Sequence, residues 1–175
     1  MDALAPGQVD ALRALGRVRN FPVGAALFLE RAPGDAVFIL ISGRVKLSCV
    51  TEAGREALLG IREPGDLIGE MSAVDESPRL ATAIALDRVE VLILSSQAFV
   101  SFLDSTPSAA LVLVRMLNRR LREAARERIE FGTLDTVARV CSRLVDLADR
   151  FGAPEGDGVH IELAITQEEL AAWTG

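Results

Sequence analysis

The stretch GEMSAVDESPRLATA, Gly69 to Ala83, decides how the chain is read. It joins a Gly-Glu pair, a short apolar turn, an acidic tip, a proline and an arginine ten residues after the glycine. Gly69 permits a positive φ and a close backbone approach. Residues 70–74 are predicted to form one helical turn whose free N–H groups face an anion. Asp75-Glu76-Ser77-Pro78 is an exposed tip. Arg79 then enters a strand, where its planar fork can hold a phosphate through two hydrogen bonds. Beyond it, Ala81, Ala83 and Ala85 share one strand face and Leu80, Thr82, Ile84 and Leu86 the other. The Glu70 carboxylate would repel a phosphate dianion but suits a pair of hydroxyl donors, such as a ribose edge. Together these groups point to a monoanionic sugar phosphate in an apolar barrel mouth. A Glu70–Arg79 ion pair bracing a surface loop accounts for the same residues.

Working outward, the surroundings are β-rich. Glycines at 24, 34, 43, 54, 60, 65 and 69 punctuate runs of Val, Ile, Leu and Phe from Phe21 onward. Residues 44–49 and 80–86 alternate strictly, and Val89–Leu94 closes the strand region. This spacing predicts an antiparallel sandwich or barrel. A short helix precedes it at 4–17, with Val9, Leu12 and Leu15 in step. Ser95-Ser96 caps a short helix carrying Phe99, Phe102 and Leu103.

A longer helix begins at Thr106-Pro107. Ala110, Val114, Leu117, Leu121, Ala124, Arg128 and Phe131 step by alternating fours and threes, a heptad seam. We read Val114, Leu117, Leu121, Ala124 and Phe131 as a dimer seam; packing on its own domain is the alternative. Six arginines and three glutamates between 109 and 131 give its other faces to solvent. Gly132-Thr133 breaks the pattern, and Asp135 caps a helix with Val137, Val140, Cys141, Leu144, Leu147, Ala148 and Phe151 on one face. Gly152 and Pro154 end it in a Gly-rich turn. A strand follows at 159–163. Thr166-Gln167-Glu168-Glu169 is a capping box, and Leu170 begins the next helix. A helical region that stops there has not completed a core, so the sequence is expected to be a fragment.

Composition narrows the classes. The 175 residues carry a net charge of -6, with one histidine, His160, and two cysteines, Cys49 and Cys141, read as small buried hydrophobes. Zinc, haem and iron–sulfur sites have almost no ligands to use, and a catalytic triad would rest on His160 alone. No metal site and no catalytic residue is expected. The N-terminus lacks a signal-peptide core and no run reaches spanning length, so a cytoplasmic protein without membrane contact is expected.

The run GDLIGEMSAVDESPRLATA resembles the phosphate-binding cassette of cyclic-nucleotide-binding domains. PGDAVFILISGRVKL (33–47) is similar to their β-roll, with Gly34, Gly43 and Gly65 at the turns. NRRLREAARERIEFGTLDTVARVCSRLVDLADRFG (118–152) resembles the dimer helix and hinge of the cyclic-AMP receptor and Fnr-type regulators. ITQEELAAWTG (165–175) looks like the first helix of their helix-turn-helix. The resemblance implies an α+β chain. Residues 1–106 would be a jelly-roll-like antiparallel β-roll and 107–132 a long dimerisation helix. Residues 133–175 would start a winged helix-turn-helix domain, marked by Thr166, Glu169, Leu170 and, at the turn, Gly175.

The resemblance further implies a ligand site of Gly69, Glu70, Met71, Arg79, Leu80 and Ala81. Glu70 would accept from the ribose 2′-hydroxyl and Arg79 would pair with the cyclic phosphate. Arg120 matches an arginine that reaches toward the ligand from the long helix. Two departures stand out. Leu80 replaces a Ser or Thr whose hydroxyl bonds the phosphate, a loss of about 1 kcal/mol. Ala124 and Ala125 stand where hydroxyl or amide side chains read adenine, and alanine cannot bond a base edge. The implied ligand is cyclic AMP or a related cyclic nucleotide; a different nucleotide, or a ligand-independent member, is the alternative. The implied partners are a second copy of the chain, DNA through the complete protein, and RNA polymerase. By the same resemblance the recognition helix would lie beyond Gly175. Residues 133–175 hold three arginines against eight acidic residues, so they should bind DNA poorly. A module regulating a kinase or channel fits less well because of the helix-turn-helix segment. The oxygen- and haem-sensing branches lack their cysteines and histidine here.

Overall fold

The apolar run AVFILI is apolar at every position because its strand is covered on both faces. The computed structural model describes residues 4–52 and 54–174. Its first part runs α1 (Pro6–Ala14), β1 (Arg17–Phe21), β2 (Ala26–Phe28), β3 (Ala36–Ser42), β4 (Val45–Val50), β5 (Glu56–Arg62) and β6 (Leu67–Ile68). It continues through α2 (Glu70–Val74), β7 (Thr82–Ala85), β8 (Val89–Ser95), α3 (Ser96–Ser105) and α4 (Pro107–Thr133). The rest comprises α5 (Thr136–Phe151), β9 (Gly152–Glu155), β10 (Gly158–Ile161) and α6 (Gln167–Thr174). Two compact units divide the chain, 1–117 and 118–175, and the division falls inside α4. Of the expected boundaries, 106 lies between α3 and α4 and 132 lies in the last turn of α4.

The first unit is a roll of two four-stranded sheets, ordered β1-β8-β3-β6 and β2-β7-β4-β5, with every pair antiparallel. On β3, Val37 and Ile39 face one way, into a cluster with Leu12, Leu92, Leu94, Phe99, Phe102, Ala109 and Leu113. Phe38 and Leu40 face the other way, into the roll with Val45, Ile68, Ala83, Ala85, Val89 and Val91. Helices α1, α3 and the start of α4 therefore close the outer face of one sheet, while the two sheets close on each other. This is the α+β, β-roll class that the resemblance implies, and its two antiparallel sheets agree with the sandwich or barrel expected from the strand spacing.

Three local readings are corrected. Strict alternation at 44–49 holds only as far as Leu47: Val45 and Leu47 pack on the roll's core, and the register shift between Leu47 and Ser48 buries Ser48 next to them. Leu86 is buried rather than on the outer face, because the strand ends at Ala85. The Gly-rich turn after Phe151 is instead the first half of a hairpin, β9 paired with β10 around Gly156. The predicted caps stand. The Ser95 hydroxyl accepts from the Ala98 N–H at 3.2 Å. The Asp135 carboxylate accepts from the Ala138 N–H at 2.8 Å. Thr166 and Glu169 exchange side-chain and backbone bonds at 2.7 and 3.1 Å.

In the second unit, the Arg139 Nε donates to the Thr174 carbonyl at 2.9 Å and the Arg143 guanidinium lies 4.4 Å from the Trp173 ring centroid, so α6 docks on α5. Leu147 is the buried anchor of α5, while Val137 and Val145 remain exposed. Cys141 is also exposed, against the expectation of burial, because it lies on the uncovered part of this helix. Cys49 is half-buried, and burial together with the Glu30 carboxylate pushes its thiol pKa up.

One ion pair of the roll gives a pH prediction. Arg44 donates to both carboxylate oxygens of Asp87, at 2.5 and 2.8 Å. That hydrogen bonding, and the Arg44 charge, hold the Asp87 pKa below the usual carboxylate value. A folded pKa below the unfolded one adds stability that is present above about pH 4 and lost as pH falls through the folded value. The pair is partly solvated, so the amount is ~1 kcal/mol or less. Arg44→Ala should move the Asp87 titration, followed by carboxyl NMR, up toward an ordinary value; an unmoved titration would refute the pairing.

Candidate functional site

The loop that opens the sequence is built by α2 and the approach to β7. Gly69 has φ +81°, and a Cβ placed there would collide with the Arg79 guanidinium. Its lack of a side chain therefore lets the arginine sit against the backbone. Residues 70–74 form the expected helical turn, α2, with Glu70, Ser72 and Ala73 buried. Ser72 donates its hydroxyl to the Pro78 carbonyl at 3.3 Å, closing the loop on itself. Of the expected tip at 75–78, Asp75, Glu76 and Pro78 are exposed and Ser77 is half-buried. There the Ser77 hydroxyl and N–H donate to Asp75, which lowers the Asp75 pKa.

Arg79 departs from the expected geometry. Its fork is turned inward rather than held open at a mouth, and the residue is only 3% exposed. Nη1 donates to the Gly69 carbonyl at 2.9 Å and Nη2 to the Ala36 carbonyl at 2.6 Å. The Asp35 carboxylate lies 3.6 Å from Nη2, and the Phe28 ring centroid lies 4.4 Å from the guanidinium carbon. Nε is buried with no hydrogen-bond partner. Burial pulls the Arg79 pKa below its ordinary value, while the Asp35 and Glu70 carboxylates oppose that shift. The group remains a cation, since arginine starts far above neutral pH. Its backbone is fixed too: the Arg79 N–H donates to the Ala32 carbonyl at 2.9 Å, and the Arg79 carbonyl accepts from the Arg31 N–H at 2.8 Å.

The structure thus brings together Gly69, Glu70 and Arg79, as the sequence suggested. Glu70 is 3% exposed. Beyond Arg79, Leu80 is 63% exposed and Ala81 is buried. The amides of Leu80 and Ala81 have no hydrogen-bond partner among the described residues. Met71 is exposed. On α4, Arg120 is half-buried and Ala124 and Ala125 are exposed. Along the expected seam, Val114, Leu121 and Phe131 are exposed, whereas Leu117 packs on the outer cluster of the roll. Arg139 lies over Phe131, 4.8 Å from its ring centroid. Thr166, Glu169 and Leu170 lie at the start of α6, and Gly175 falls outside the described residues. No group of three or more His, Cys, Asp or Glu that could hold a metal occurs among the described residues. Nor is any single helix there long and apolar enough to cross a membrane.

Sequence reasoning missed Phe28, Asp35 and the Ala36 carbonyl. No spacing links them to Arg79; the β2–β7 pairing and the 33–36 turn bring them there.

Residues 18–106 match the Cyclic nucleotide-binding domain family. The chain is 35% identical over 170 residues to the CRP-like cAMP-activated global transcriptional regulator of Mycobacterium tuberculosis, covering 97% of this chain and 76% of that protein. The chain belongs to the cyclic-AMP receptor/Fnr family of transcription regulators. It is also 34% identical over 161 residues to the Cyclic AMP receptor protein of Thermus thermophilus, covering 92% of this chain and 74% of that one. The crystal structure of the Thermus thermophilus Catabolite Activator Protein is similar with a TM-score of 0.67 at 33% identity, covering 84% of this chain and 69% of that one. The family's fold class, its cyclic-nucleotide-binding domain and its role in transcription regulation therefore apply to this chain.

The residues present suit a cyclic nucleotide's phosphate. A buried cation has its Nε–H without a hydrogen-bond partner, two neighbouring amides have none among the described residues, and the buried Glu70 carboxylate beside them is an acceptor suited to hydroxyl donors.

Proposed function

We propose that this chain is the sensing part of a homodimeric, DNA-binding transcription regulator controlled by a cyclic nucleotide, with cyclic AMP the first candidate. The unspent Nε edge of the buried Arg79 carries this reading. A buried donor without a partner leaves free energy of about 1–3 kcal/mol to be recovered, and an anionic oxygen recovers it. A cyclic phosphate has one charge and tolerates Glu70 nearby better than the dianion of AMP does. The two relatives, one a cAMP-activated regulator and one a cyclic AMP receptor protein, support the same ligand. Ala124 and Ala125 have no group with which to bond a base, so phosphate and ribose supply most of the affinity and discrimination between adenine and guanine is weak. The nucleotide acts by binding one arrangement of the dimer more tightly than another. Exposed Val114, Leu121 and Phe131 along α4 support that dimer.

Calorimetry with cyclic AMP, cyclic GMP and AMP tests this directly. Saturable binding of both cyclic nucleotides within about tenfold of each other is expected, with AMP at least ~10-fold weaker, a difference of about 1.4 kcal/mol. Absence of binding by any cyclic nucleotide would sink the proposal and favour a ligand-independent regulator.

A further inference from the structure

We infer that Phe28 is a positioning residue for the phosphate contact: its ring fixes the plane of the Arg79 guanidinium and so presets the Nε–H, the one guanidinium nitrogen without a hydrogen-bond partner, for a ligand. This rests on the reading of Arg79 as the phosphate contact. The Arg79 guanidinium carbon lies 4.4 Å from the Phe28 ring centroid, the distance of a cation–π contact. The ring is itself held. Phe38, 6% exposed and in the roll's core, packs against it with centroids 5.4 Å apart at 44°. Across the strand pair, Phe28 stands opposite Ala83, which is fully buried and leaves space on that face. The residues following β2 are tied to the arginine's own backbone through the two bonds at Arg31 and Ala32.

The guanidinium therefore has one face on Phe28 and two nitrogens on the carbonyls of Gly69 and Ala36. A planar cation held this way has lost the freedom to swing, so an arriving oxyanion meets a preset donor and binding orders little more of the side chain. Leucine at position 28 would keep much of the apolar volume but remove the π face. Tyrosine would keep the face.

The test compares wild type, Phe28→Leu and Phe28→Tyr in the full chain. One measurement is cyclic AMP affinity by calorimetry. The other needs no ligand: the NMR signal of the Arg79 Nε–H, assigned by its loss in Arg79→Lys, reports ring-current shift and hydrogen exchange. Phe28→Leu should weaken cyclic AMP about five- to tenfold, the scale of one cation–π contact. It should also move the Nε–H signal and speed its exchange. Phe28→Tyr should restore both. Phe102→Leu, in the other core cluster, controls for stability alone and should leave affinity and the Nε–H signal as in wild type. Wild-type affinity and an unmoved Nε–H signal in Phe28→Leu would overturn the inference, as would loss of affinity shared equally by Phe102→Leu. If wild type binds no cyclic nucleotide, the phosphate reading fails on its own. The Nε–H signal then decides the positioning of Arg79: a shift in Phe28→Leu that Tyr reverses supports it, and no shift overturns it.

Discussion

Arg79→Leu is expected to lose at least ~100-fold in cyclic-nucleotide affinity and roughly 2–4 kcal/mol of stability together. The first effect follows from removing a charge-assisted donor, worth about 1.5–3 kcal/mol for each hydrogen bond to a charged group. The second follows from what the guanidinium does without ligand. It bonds the Gly69 and Ala36 carbonyls, and its loss leaves both without their donor. Each such group costs about 1–3 kcal/mol, partly offset because leucine has no buried Nε to leave unpaired. The melting temperature should fall on the order of 10 °C. Arg79→Lys separates the two effects. It keeps a charge and can reach one carbonyl, but it cannot present a fork. Its stability should lie between wild type and Arg79→Leu, while its affinity stays at least ~10-fold below wild type. Arg79→Leu binding within threefold of wild type would remove Arg79 from the ligand site.

What the sequence reveals about this site, and what it hides, follows from the range of the interactions. Gly69, the helical turn at 70–74 and the tip at 75–78 are consequences of local backbone chemistry, and the structure has them where the sequence puts them, with Ser77 alone of the tip half-buried. The same holds for the caps at Ser95, Asp135 and Thr166, where each bond spans three residues. The sheets were legible from the glycine-punctuated runs of Val, Ile, Leu and Phe, and two of those runs, β3 and β8, supply residues to both core clusters. The inward turn of Arg79 was not legible. Arginine is rarely buried, and the groups that make burial tolerable come from Phe28, Asp35 and Ala36, which are brought in by sheet pairing and a turn rather than by spacing. The shift at Leu47 and Ser48 was hidden for the same reason, since a bulge depends on the partner strand β5 as much as on the bulged residues. The alternative of a Glu70–Arg79 ion pair named the right charges in part: Glu70 is buried and its charge acts on Arg79, and the Asp35 carboxylate, which the loop's own sequence does not contain, lies 3.6 Å from the guanidinium as well.

Gly34→Val should be nearly as damaging as Arg79→Leu, although Gly34 bonds no ligand. A Cβ at Gly34 would lie 2.6 Å from both the Ser72 Cβ and the Ser72 carbonyl oxygen, and 2.9 Å from the Ser72 carbonyl carbon. Two of those atoms are backbone of α2, so no rotamer change relieves the contact. The turn at 33–36 must move away from α2, at a cost of ~3 kcal/mol or more, the upper range for overpacking. The displacement carries Asp35 and Ala36 with it. Arg79 then loses its 2.6 Å acceptor at Ala36 and its 3.6 Å carboxylate at Asp35, and the guanidinium is no longer preset. Cyclic-nucleotide affinity should fall at least ~10-fold even at temperatures where the variant is fully folded, because ordering the arginine is then charged to binding. Gly7→Ala is the natural control. A Cβ at Gly7, in the first turn of α1, meets nothing within 4 Å, and the change should be neutral or add about 0.5–1 kcal/mol. Denaturant unfolding followed by calorimetry distinguishes the outcomes. A Gly34→Val chain with an unchanged unfolding midpoint would show that the turn at 33–36 is not held against α2. One that is destabilised yet binds as wild type would show that Ala36 and Asp35 do not set the arginine.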